Sequence, residues 1–84
     1  MALRAIWSPE ARADVRAIDR DPALRMLKTF GHFLKTETGD AKQLHGFDPP
    51  LFRFRAGDYR VIYRPLATGS IQIVRILNRR EAYR

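Results

Sequence analysis

Eighty-four residues and 9.8 kDa hold one domain and one hydrophobic core, which excludes a two-domain enzyme, a membrane bundle or a long repeat array. Sixteen Lys and Arg against nine Asp and Glu give a net charge of +7, while 45% apolar and 30% charged residues describe a chain that folds rather than a disordered basic tail. Cysteine is absent and the only imidazoles are His32 and His45, so no disulfide, thiolate zinc site, other structural metal or cofactor is expected.

In chain order, residues 2–7 are short and apolar-rich and fit a first strand. Ser8-Pro9-Glu10 reads as a helix start, with Ser at the N-cap, Pro at the first helical position and an acid in the first turn. Ala11, Val15 and Ile18 then recur at helical spacing. Asp21-Pro22 repeats the start signal before a stripe of Ala23, Leu27, Phe30 and Leu34, widened by Met26 and Phe33. Gly31 inside that stripe predicts a close helix contact, since a helical glycine costs about 1 kcal/mol against alanine. Two antiparallel helices joined by a tight turn follow.

Gly39-Asp40 is expected to end the second helix, and Gly46, Asp48, Pro49 and Pro50 mark a loop. The period then changes from helix to strand. Phe52 and Phe54 alternate with Arg53 and Arg55, which sets rings on one face and guanidinium groups on the other. Ala56-Gly57-Asp58 makes a hairpin connection to a strand over Tyr59–Arg64. Residues 65–70 turn the chain again. Ile71–Asn78 is apolar on both faces apart from Gln72 and Arg75, and so should be central and covered. The order is β-α-α-β-β-β, an α+β domain with a twisted antiparallel sheet packed on a two-helix hairpin.

The charge excess is local. Residues 1–50 carry eight basic and seven acidic side chains, whereas residues 51–84 carry eight arginines against Asp58 and Glu81, a net of +6. Arginine presents a planar fork of donors that suits phosphate oxygens and stacks on bases. Alternation puts Arg53 and Arg55 on one strand face, and the hairpin brings Arg60 beside them if it faces the same way. Arg79, Arg80, Tyr83 and Arg84 add guanidinium groups and a phenol after the last strand. Arginines with one or two tyrosines on one side of a sheet make an RNA-type surface, charge for phosphates and rings for stacking. The competing expectations are a plain solvated sheet face for Arg53 and Arg55, and the core for Tyr59 or Tyr63. Residues 1–10 hold no apolar run of signal-peptide length and no stretch approaches a membrane span, so a cytoplasmic protein without a membrane partner is expected.

Three segments resemble the RelE/ParE toxin superfamily of bacterial type II toxin–antitoxin systems. They are Trp7-Ser8-Pro9-Glu10-Ala11, then Gly39-Asp40-Ala41-Lys42-Gln43-Leu44-His45-Gly46, then residues 51–63, Leu51-Phe52-Arg53-Phe54-Arg55 through Tyr59-Arg60-Val61-Ile62-Tyr63. The ending, Arg79-Arg80-Glu81-Ala82-Tyr83-Arg84, is similar to the closing motif of the RelE-like ribonuclease branch. The resemblance covers nearly the whole chain, so residues 1–84 are expected to form one RelE/ParE-like toxin domain.

What the resemblance implies is a growth-inhibiting toxin, an mRNA interferase that works on the ribosome without a metal. The ribose 2′-hydroxyl attacks the adjacent phosphate and leaves a 2′,3′-cyclic phosphate, which calls for a base, cations for the crowded phosphorane and a proton for the departing 5′-oxygen. By position, Arg60 and Arg80 match the phosphate-stabilising arginines and Tyr83 the C-terminal tyrosine that stacks on or orients the nucleotide. These three are the candidate catalytic residues, with Arg53, Arg55, Arg79 and Arg84 as RNA-phosphate ligands.

Arg53 and Arg55 fall where the best-known ribonuclease members carry lysines. A lysine can be pushed toward neutrality and take a proton, whereas arginine effectively cannot. A phenol's ordinary pKa of about 10 leaves roughly one molecule in a thousand ionised at pH 7, so Tyr83 is an inefficient base even among cations. His45, in the loop before the sheet, is expected to be structural or to face an antitoxin. Slow or ribosome-assisted cleavage is the expectation. The alternative is a ParE-like protein that traps DNA gyrase without catalysis of its own. Arg80 and Tyr83, which gyrase-directed members generally lack, favour the ribonuclease, and the absent lysines argue the other way. A basic RNA-binding module without toxicity is the third reading. Either toxin implies a cognate antitoxin, acidic and partly helical, wrapping the sheet and the basic groove.

Overall fold

The computed structural model describes residues 2–78. Their order is β1 (Arg4–Trp7), α1 (Pro9–Arg16), α2 (Arg20–Thr36), β2 (Ala41–Leu44), β3 (Leu51–Ala56), β4 (Tyr59–Pro65) and β5 (Ser70–Asn78). The five strands form one sheet in the order β1-β5-β4-β3-β2. The α+β class and the two-helix layer are as expected from sequence, and β5 is indeed an interior strand.

Two features of the sheet differ from the sequence reading. A fifth strand, β2, pairs antiparallel with β3 where a loop was expected. Ala-Lys-Gln-Leu has neither alternation nor β-branched residues, so its strand form comes from pairing with β3 rather than from its own propensity. The sheet is also mixed, because β1 runs parallel to β5 while β2 to β5 form an antiparallel meander. A parallel pair needs a long crossover, and everything from α1 to β4 lies between these two strands.

Helix α1 is fixed to the sheet by side chains. Ser8 Oγ accepts the Ala11 N–H at 3.0 Å as the N-cap, and the same hydroxyl donates to the Val74 carbonyl at 2.8 Å. Six residues on, Asp14 accepts from Arg75 Nε at 2.8 Å, from Arg75 Nη2 at 3.0 Å and from the Ile76 N–H at 2.8 Å. Pairing of β1 with β5 ends at Trp7 opposite Ile73, so Ser8 and Asp14 take over the backbone edge that β1 leaves. A register shift falls at the same place: Ile62 stands opposite Arg75 and Tyr63 opposite Ile73, which leaves Val74 as the bulged residue.

Helix α2 turns Ala23, Met26, Phe30 and Phe33 inward. Phe33 stacks on Phe54 at 4.7 Å, Phe30 lies 5.5 Å from Phe54, and Phe33 lies 5.8 Å from Tyr63. Ala11, Val61, Ile71, Ile73 and Ile76 complete the core. The helix begins at Arg20, two residues before Pro22, and ends at Thr36 with Glu37 in the left-handed region at φ 55°, earlier than Gly39 suggested. Gly39 does something else. Its φ of 141° lets the backbone cross the Phe54 ring, which a Cβ would meet at 2.7 Å. Gly31 marks no close contact, because a Cβ there would have nothing within 4 Å.

Candidate nucleic-acid interface

The strand alternation of β3 and β4 sorts rings from cations. Phe54, Val61 and Tyr63 are buried toward the helices, so Arg53, Arg55 and Arg60 point to the other face. The register settles the question that sequence left open: Arg55 stands directly opposite Arg60, and Arg53 opposite Ile62. Arg60 is 6% exposed, whereas Arg55 is exposed. Like charges placed directly across a ladder cost stability, about 0.2–1 kcal/mol.

Among the described residues, Asp40 is an acid at this site. Its carboxylate accepts from Arg53 Nη1 at 3.2 Å, and its carbonyl accepts the Arg55 N–H at 2.9 Å. The chain entering β2 therefore holds both the side chain of Arg53 and the backbone of Arg55. On the far side, Arg64 continues the β4 alternation, and its Nε is buried with no hydrogen-bond partner among the described residues.

Two further cations share this face that the sequence does not single out. Arg64 was counted only as the end of a strand. Lys42 has no element in the sequence reading, yet β2 sets it opposite Arg53 and therefore on the arginine face. The recoverable signal was β3 itself, since a strand with Phe52 and Phe54 on its core face needs a neighbour on each side.

The two described tyrosines do not join the arginines. Tyr63 is in the core, where burial pushes its phenol above the ordinary 10.0, and Tyr59 packs against the same core. Odd-numbered residues of β4 up to Tyr63 face the helices, so the expected mixture of described tyrosines and arginines on one face is not formed. Arg79, Arg80, Tyr83 and Arg84 lie outside the described residues. Among the described residues no group of three or more His, Asp or Glu is placed to hold a metal, and no helix is long and apolar enough to cross a membrane.

The described residues thus form a two-helix, five-strand domain with arginines on the sheet face turned away from the helices, a fold shared with RelE-like proteins. Residues 5–83 match the family model described as the ParE toxin of the type II toxin–antitoxin system parDE, and the chain belongs to that family, within the RelE/ParE superfamily. It is thus a toxin of the type II class. The archaeal RelE–RelB complex from Pyrococcus horikoshii OT3 has a chain that is 25% identical, with a TM-score of 0.72, covering 94% of this chain and 97% of that one. The toxin–antitoxin complex RelBE2 from Mycobacterium tuberculosis has one that is 21% identical, with a TM-score of 0.78, covering 94% and 100%. No curated protein matches the chain.

Proposed function

We propose that the protein is a metal-independent mRNA endoribonuclease that acts on the ribosome and is neutralised by an antitoxin. The observation that carries this reading is the Arg55–Arg60 pair, with Arg53 one alternation further along the same face. Three guanidinium groups on the sheet face turned away from the helices supply donors for the non-bridging oxygens of a scissile phosphate. As the 2′-oxygen closes on phosphorus, charge builds on those oxygens, and fixed cations around a buried Arg60 stabilise it without reorganising. Asp40 keeps Arg53 in place until phosphate competes for it.

Arg80 and Tyr83 complete the proposed catalytic set by their match to the RelE-like closing motif, and Arg79 and Arg84 extend the phosphate contacts. An acidic, partly helical antitoxin segment is the proposed partner. Its charge complements the arginine face, and both solved relatives are toxin–antitoxin complexes.

DNA gyrase inhibition is the second reading, because the matching family model is that of the ParE toxins and positions 53 and 55 carry arginine. Primer extension on messenger RNA in a translating extract separates the two. Cuts within ribosome-occupied codons by wild type, lost in Arg60→Ala and Tyr83→Phe, support the ribonuclease. Intact message together with blocked gyrase supercoiling supports the second reading and overturns the first.

A further inference from the structure

Cleavage by 2′-hydroxyl attack moves two protons, one off the nucleophile and one onto the leaving oxygen. Arg53, Arg55, Arg60 and Arg64 supply charge but hold their protons throughout. Tyr59 and Tyr63 lie on the helix-covered side. Across the outward positions of the five described strands, the one ionisable side chain that is not arginine is Lys42. It is exposed, on an edge strand, and directly opposite Arg53. Two strand spacings and a two-residue offset put its Cα about 12 Å from that of Arg60.

We infer that Lys42 is a catalytic residue, the proton donor to the departing 5′-oxygen. The inference rests on the ribonuclease reading and names a residue within that site. As the bond from the 2′-oxygen to phosphorus forms, the bond from phosphorus to the 5′-oxygen breaks and its electron pair stays on that oxygen. The Lys42 ammonium passes its proton there, giving a 5′-hydroxyl and a neutral amine. The 2′-hydroxyl proton leaves to water, and water later reprotonates the amine, so no net proton is consumed. The charged groups around Lys42 are Arg53 and Arg55 on β3 and the Arg53-bound carboxylate of Asp40. The other edge of β2 is open among the described strands.

The test uses programmed ribosomes carrying a short message with one cut site, in two forms: the natural link and one with sulfur at the bridging 5′-position. A thiolate leaves without a proton far more readily than an alkoxide, so the sulfur form bypasses a proton donor. Lys42→Arg keeps the charge and withholds the proton. The expected result is a loss of about 10²-fold on the natural link and near wild-type cutting of the sulfur link, with ribosome binding unchanged. A wild-type rate for Lys42→Arg, or the same deficit on both links, overturns the assignment while leaving the ribonuclease intact. Failure of the wild-type protein to cut either link overturns the ribonuclease reading, and the assignment with it.

Discussion

On the helix-covered face of the sheet, rings meet rings: Phe33 stacks on Phe54, and Phe52 stacks on Tyr63 at 5.6 Å. On the opposite face, Arg55 stands across the ladder from Arg60. The same two strands therefore carry side chains that stabilise the fold on one side and side chains that oppose it on the other. Burial of apolar surface on the first face offsets the repulsion on the second. Stability and activity should accordingly separate by face, and substitutions can break or sharpen that division.

The largest expected effect is on the covered face. Phe30→Ala removes a ring that is 2% exposed and touches both Phe33 and Phe54, and should cost about 3–5 kcal/mol in urea denaturation. Gly39→Ala should cost about 1–3 kcal/mol, because its Cβ would press on the Phe54 ring at a φ that favours glycine. A wild-type midpoint for Gly39→Ala would show that the Phe54 ring yields freely.

Asp14→Asn tests the join between α1 and β5. Burial raises the pKa of Asp14, but the hydrogen bonds from Arg75 and the Ile76 N–H and the Arg75 charge outweigh it, so the carboxyl sits below its ordinary 3.8. A lowered carboxyl pKa stabilises the fold above the unfolded value, and the contribution is lost as pH falls through the folded one. The substitution should cost about 1–2 kcal/mol near neutrality, discounted for the half-exposed Arg75, and flatten acid unfolding below pH 4. An unchanged acid limb would contradict the anchoring role.

Asp40→Asn is the smallest in stability, about 0.2–1 kcal/mol for an exposed pair. Its effect on RNA should be opposite in sign. Removing a fixed competitor for Arg53 tightens phosphate binding and steepens its salt dependence, which filter binding across a salt series would read.

What was legible in the sequence follows the same division. Alternation of Phe52, Arg53, Phe54 and Arg55 fixed both faces of β3, because a half-buried strand has only one register that buries its rings. Ser8-Pro9 located α1 because a cap is a local interaction. β2 was illegible because its strand form depends on a partner strand seven to thirteen residues further along the chain. The direction of β1 depended on a crossover whose path no local residue encodes. Tyr59 and Tyr63 looked available for stacking until the pairing of Phe52 with Tyr63 placed them on the ring side. Gly31 signalled a contact that is absent, and Gly39 carried one that nothing local announced. At the site, Arg53, Arg55 and Arg60 were readable from alternation and one hairpin, whereas Lys42 became visible only with β2.

The measurement that tests the account most directly is Arg55→Gln read twice, by thermal unfolding and by cleavage of ribosome-bound message. Arg55 is exposed and opposite Arg60, so its removal relieves repulsion and takes away one phosphate donor. The account predicts a melting temperature equal to or slightly above wild type, with cleavage slowed about 10²-fold. Loss of stability with cleavage unchanged would contradict it, because the arginine face would then be serving the fold.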